Sequence, residues 1–149
     1  MSLLNYPTAG LGRRLAAMGY DGMVLIALYI ILGGILVTAA STLAGYDQML
    51  QLTPAQAASL FYTITFLYYS HSWRRGGQTI GMKAWRLYLV SEDNKPIRLS
   101  HCILRSAAGF FSLVIFGLGY FWMLFDKKQR TWHDIASLTR IVHKPKGVD

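Results

Sequence analysis

The sequence predicts an all-α integral membrane protein. It has two transmembrane helices, a third apolar stretch read as a re-entrant hairpin in preference to a single span, and a small β-hairpin on the cytoplasmic surface. Three observations carry this. No lysine or arginine occurs between Arg14 and Arg74, a run of 59 residues, although the other 90 residues hold all 15 of them. A bilayer sorts residues this way, because a cationic side chain is costly at its centre and is retained in short cytoplasmic loops. Two uncharged runs, 22 residues at 23–44 and 19 residues at 55–73, are long enough to span; the first measures about 33 Å as a helix. A third run of 20 residues at 106–125 is apolar but carries Gly109, Gly117 and Gly119.

The elements follow in order. Residues 1–12 read as an irregular leader with Pro7 and Gly10, and helix 1 covers about 11–44. Its basic flank invites a signal-peptide reading, but the apolar run exceeds an h-region and Asp21 interrupts its start. The loop from Gly45 is free of basic residues and is assigned to the outside. Helix 2, about 54–73, has a clear start: Thr53 as cap, Pro54 at the first position and Gln56 three residues after the cap. Tyr68, Tyr69 and Trp73 at its far end read as an interfacial aromatic belt.

A polar segment, residues 74–101, holds six basic residues and two acids. Within it, residues 85–90 alternate as a strand, Glu92 to Pro96 is turn chemistry, and residues 97–99 are expected to pair back. Residues 138–143 form a candidate third strand. The third apolar segment, 103–125, precedes a basic tail, 126–149. A single crossing would leave the tail's six lysines and arginines outside, against the charge rule. A hairpin turning at Gly117-Leu118-Gly119 returns them to the cytoplasm. The whole chain, 1–149, is one domain.

Among the polar residues, Asp21 lies two helical turns after Arg14, so both project from one side of helix 1. Asp21 reads either as a proton or cation site or as a paired residue that fixes helix packing. Arg105, opening the third stretch, is expected to snorkel to phosphates or, second, to pair with Asp21. His71, His101, His133 and His143, with Cys102 and Asp134, match no compact metal motif, so neither a metal nor another cofactor is expected. No nucleophile elbow, phosphate-binding glycine loop or acid–base carboxylate pair is present, which points away from an enzyme. The net charge of +8 follows from the positive-inside bias, so anionic lipid headgroups are expected as partners and nucleic acid is not. Gly33, Gly34, Ala39 and Ala40 permit close helix approach, in a compact bundle or in self-association.

Arg14-Leu15-Ala16 followed by Asp21, then Gly77-Gln78-Thr79-Ile80-Gly81-Met82-Lys83, then Gln129-Arg130-Thr131-Trp132-His133-Asp134 with Thr139, resemble the RDD family of small membrane proteins. The resemblance runs from about Pro7 to Val142; it departs at Leu138, where a glycine is common. The family takes its name from an arginine and two aspartates, and Arg14, Asp21 and Asp134 stand in those places. Thr79, Gly81, Lys83, Arg105 and His133 are supporting candidates. The resemblance implies a multi-pass domain, in some relatives linked to sodium/proton antiport and in others similar to adaptor subunits of membrane complexes. The reading is a structural or adaptor component in a bacterial plasma membrane, N-terminus cytoplasmic, with a membrane-protein partner or self-association. The alternative is a cation or proton transporter that uses Asp21. If the tail is cytoplasmic, Arg14, Asp21 and Asp134 meet at one surface.

Overall fold

In the computed structural model, which describes residues 3–146, eight regular elements follow the short 3₁₀ turn Leu3–Asn5. Residues 1–2 of the leader and 147–149 of the basic tail lie outside the described residues. Helix α1 covers Leu11–Leu43 and α2 covers Pro54–Gly76. The short α3, Ile80–Ala84, leads into strand β1, Leu87–Ser91. Helix α4, Leu99–Val114, is followed by α5, Leu118–Phe121, and a 3₁₀ turn, Trp122–Leu124. The chain closes with α6, Trp132–Ala136, and strand β2, Thr139–His143.

Local chemistry sets the helix ends. At the start of α2, the Gln56 amide donates to the Thr53 hydroxyl, and the Gln56 side-chain carbonyl accepts from the Thr53 amide at 2.9 Å. Both orphan donors are thereby satisfied. The helix ends where Gly77 takes a left-handed φ of 67°, a conformation open to glycine without steric cost. Arg74 and Arg75 complement the negative end of its dipole.

Along α1 the buried residues Arg14, Ala17, Asp21 and Leu25 recur at three- and four-residue steps, which makes one stripe. Gly33 and Ser41 are buried further along, but much of the remaining surface is bare: Met23, Ile26, Ile30, Ile31, Ile35 and Leu36 are all exposed. A water-soluble fold does not leave such a continuous apolar face uncovered. By length and apolarity α1 qualifies alone as a membrane span, and Leu99–Val114 with Leu118–Leu124 qualifies as a pair bent by 109°. That bend falls at Gly117, φ 76°, whose amide donates to the Ser112 carbonyl at 2.7 Å.

The closely packed core lies at one end of the bundle. Ala9, Ala17, Met82, Leu87, Leu89 and Ile141 form it, with Trp73 and Ile97 against it. Strands β1 and β2 pair antiparallel, from Leu87 opposite His143 to Ser91 opposite Thr139. The expected local hairpin is therefore corrected: residues 97–99 do not pair back on β1, and Leu99 opens α4. A nearly buried five-residue strand requires a partner of matching length, whereas Pro96 removes a donor and three residues are too few. The C-terminal strand supplies that partner. The leader adds to its other side, where the Ala9 amide donates to the Ile141 carbonyl at 2.9 Å and the His143 amide donates to the Pro7 carbonyl at 3.0 Å.

Candidate functional site

Two buried carboxylates organise this end of the molecule. Asp134, on α6, has no exposed side-chain surface. Arg14 Nη1 donates to its Oδ2 at 2.5 Å and Arg105 Nη1 donates to its Oδ1 at 2.7 Å. The local turn adds a capping box: the Thr131 amide donates to Asp134 Oδ2, and the Asp134 amide donates to the Thr131 hydroxyl, both at 3.3 Å. Burial by itself raises a carboxyl pKa, but the guanidiniums of Arg105 and Arg14 outweigh it and hold Asp134 well below the usual carboxylate range. All three guanidinium nitrogens of Arg14 are engaged. Its Nε donates to the Ala9 carbonyl at 3.0 Å and its Nη2 to the Ile141 carbonyl at 3.5 Å. Arg105 Nη1 also donates to the Thr139 hydroxyl at 2.6 Å, which shares a hydrogen bond with Ser137. A single carboxylate thus ties together the starts of α1 and α4, α6, and β2.

Asp21 forms a second cluster. Tyr68 Oη donates to its Oδ1 at 2.6 Å and the Gly81 amide donates to the same oxygen at 2.8 Å. The Thr79 hydroxyl donates to Oδ2 at 2.6 Å. Thr79 in turn caps α3 by accepting from the Met82 amide at 3.1 Å. Asp21 is therefore the anchor of α3 on α1, with α2 joined through Tyr68.

Arg14 shares a helix face with Asp21 but pairs with Asp134, while α3 occupies Asp21. One expectation is corrected. Arg105 neither snorkels nor meets Asp21; it is 4% exposed and turned inward. Its stem enters at the first turns of α4, where the Asp134 carboxylate supplies the countercharge that a phosphate would otherwise give. The guanidinium carbon stands 5.2 Å from the centre of the Trp73 ring, within cation–π range.

The supporting candidates divide. Thr79 and Gly81 belong to the Asp21 cluster. His133, next to Asp134, is buried against the Tyr120 ring at 4.6 Å. Burial, with the charge of Arg105 beside it, pushes its pKa down to about 3, so the imidazole is neutral near pH 7. Lys83 is exposed on α3 and joins neither cluster. Among the described residues, no group of three or more His, Cys, Asp or Glu stands where it would hold a metal. Three contributors were not among the site candidates: Tyr68, read as part of the aromatic belt, and Thr131 and Thr139, which stood only in the family motif. The cap-to-third-residue spacing of Thr131 to Asp134 was a further readable signal.

The described residues thus hold one bare helix long and apolar enough to cross a bilayer, a bent apolar pair and a charged core at one end. The sequence profile of the RDD family matches residues 8–137, and the chain belongs to that family of membrane proteins. No curated protein and no solved structure matches it.

Proposed function

We propose that this chain is a non-catalytic structural or adaptor component of a membrane complex, in which Arg14, Arg105 and Asp134, with Asp21 beside them, clasp a cytoplasmic platform onto the helices. The observation that carries this is the occupancy of the two carboxylates. Both oxygens of Asp21 and both of Asp134 already accept hydrogen bonds from residues 29 to 120 positions away. Each is buried and already accepts three hydrogen bonds, which favours a role in holding segments together over exchange of a proton or cation.

In this reading α1 and α2 cross the bilayer, α4 and α5 re-enter it, and both chain ends face the cytoplasm of a bacterial cell. The bridge from the leader to β2 and the contact of Arg14 with Asp134 support that topology, since they require the chain's beginning and its tail on one side. A basic rim, with Lys127 and Lys128 exposed and Arg130 and Arg140 half-buried, serves docking. Lys127, Lys128, Arg130 and Arg140 line an open cavity of about 610 Å³, suited to anionic lipid headgroups or to an acidic face of a partner.

Two measurements test this. A sidedness reporter at Lys146 should report the same side as one at the N-terminus; opposite sides would separate Arg14 from Asp134 and end the proposal. The Asp21→Asn variant should lower folded yield and co-purification of any membrane partner together. In sealed vesicles, a sodium- or potassium-driven pH change abolished by Asp21→Asn would replace the clasp with transport.

A further inference from the structure

Between α1, α2 and α4 lies a second cavity, of about 580 Å³, within the range of small-ligand sites. Its two ends differ in chemistry. Leu25, Phe61, Phe66, Phe110 and Leu113 line the end remote from the sheet. Trp73, Arg105 and His133 line the end at the buried clusters.

That polar end carries donors and acceptors that the protein does not use. Arg105 Nε, His133 Nδ1 and Trp73 Nε1 are all buried with no hydrogen-bond partner. Buried polar atoms are nearly always paired, and each one left without a partner costs free energy. Arg105 and His133 are 4% and 6% exposed, so bulk water does not serve them. The other charges on the same lining are already engaged: Arg14 through Ala9, Asp134 and Ile141, and Asp21 through Tyr68, Thr79 and Gly81. The available group is thus the cationic edge of Arg105, flanked by an indole N–H and a neutral imidazole.

Orientation adds a second constraint. Trp73 is at the end of α2 and Arg105 near the start of α4, both at the level of the sheet, whereas the apolar lining runs along the helices away from it. An occupant must therefore place an acceptor at the interfacial level and extend hydrocarbon into the bilayer. We propose that the cavity binds one chain of an anionic amphiphile, with its carboxylate or phosphate on Arg105 Nε, Trp73 Nε1 and His133 Nδ1. The site shares Arg105 with the clasp but uses its Nε, whereas Nη1 holds Asp134; Gly109→Phe, at a residue outside the clasp, separates failure of this site from failure of that reading.

The test uses the purified full chain in non-ionic detergent with tritiated oleate as probe. Expected is saturable binding at one oleate per chain, with oleyl alcohol competing at least tenfold less well. Competition by oleoyl-lysophosphatidylglycerol identifies the source: stronger than unlabelled oleate means a phospholipid phosphate, weaker means a free fatty-acid carboxylate. Gly109 lines the cavity and a Cβ there meets nothing within 4 Å, so Gly109→Phe should fill the space without disturbing the fold. It should reduce binding more than tenfold at unchanged thermal stability. Arg105→Lys should weaken oleate and leave oleyl alcohol unaffected. Equal competition by the alcohol, wild-type binding by a stable Gly109→Phe protein, or no saturable binding of either anion would overturn the assignment.

Discussion

Gly81 lies so close to Ala17 that a Cβ at position 81 would stand 2.1 Å from the Ala17 carbonyl oxygen and 2.9 Å from Asp21 Cγ. Helix α3 therefore meets α1 backbone to backbone, and the Gly81 amide reaches the Asp21 carboxylate only because no side chain intervenes. Gly81→Ala should push the two helices apart and weaken all three bonds to Asp21. The expected loss is about 3 kcal/mol, against about 1–2 kcal/mol for Asp21→Asn, which keeps one acceptor oxygen. Gly19→Ala, where the added carbon meets open space, serves as the control. Thermal unfolding in detergent orders the three variants; a Gly81→Ala protein as stable as wild type would refute the close approach.

Asp134→Asn removes the charge shared by Arg14 and Arg105, and two buried guanidiniums are left without a carboxylate. Breaking a buried pair in this way costs about 3–5 kcal/mol. Apolar replacement of all three residues together should cost less than the single change, because the desolvation of each charge disappears with it. Folded yield and melting temperature of the single and triple variants decide the point; a triple variant worse than Asp134→Asn would contradict it.

Acid should destabilise the protein in two separable steps. His133 titrates at its ordinary 6.5 when unfolded and is pushed down to about 3 when folded. Between those values the unfolded state binds more protons, so the contribution of His133 is complete above pH 6.5 and is lost progressively as pH falls towards 3. About 2 kcal/mol should be gone by pH 5. Asp134, held below the carboxylate range, acts in the same direction at lower pH: its stabilisation is full above its unfolded pKa, about 4, and is lost below it. Melting curves from pH 7.5 to 4.5 should flatten in His133→Gln between pH 6.5 and 5. A flat wild-type profile over that window would mean that the imidazole is not held neutral.

Thr53→Ala removes the hydroxyl that caps α2. The box is exposed and distant from both carboxylate clusters, so the expected cost is about 1 kcal/mol, with no change in the pH profile. A loss as large as that of Asp134→Asn would show that the loop before α2 is more tightly coupled to the core than its contacts indicate.

Much of the architecture is legible along the chain. The cation-free run and the spacing of Thr53, Pro54 and Gln56 mark elements whose causes are local, and membership of the RDD family is legible in three short motifs. The glycine turn at Gly117 is similarly local. The strand pairing is legible only in part: residues 138–143 read as a third strand able to join, beside a 97–99 return that does not form. Residues 85–90 alternate whichever strand lies beside them, and the nearest candidate in sequence was the wrong one. The partner of Arg105 was hidden for a related reason. An arginine at the head of an apolar stretch reads as a lipid contact until the tail, 29 residues on, brings Asp134 to it.

Composition alone determined that this chain belongs with lipid, because the exclusion of cations from hydrocarbon acts on each residue separately and leaves a one-dimensional record. Tertiary structure alone decided which arginines share Asp134, what fills the hydrogen-bonding capacity of Asp21, and which strand completes the sheet. Those outcomes depend on satisfying buried charges and backbone groups from distant segments at once, and residue order by itself does not reveal which segments close together.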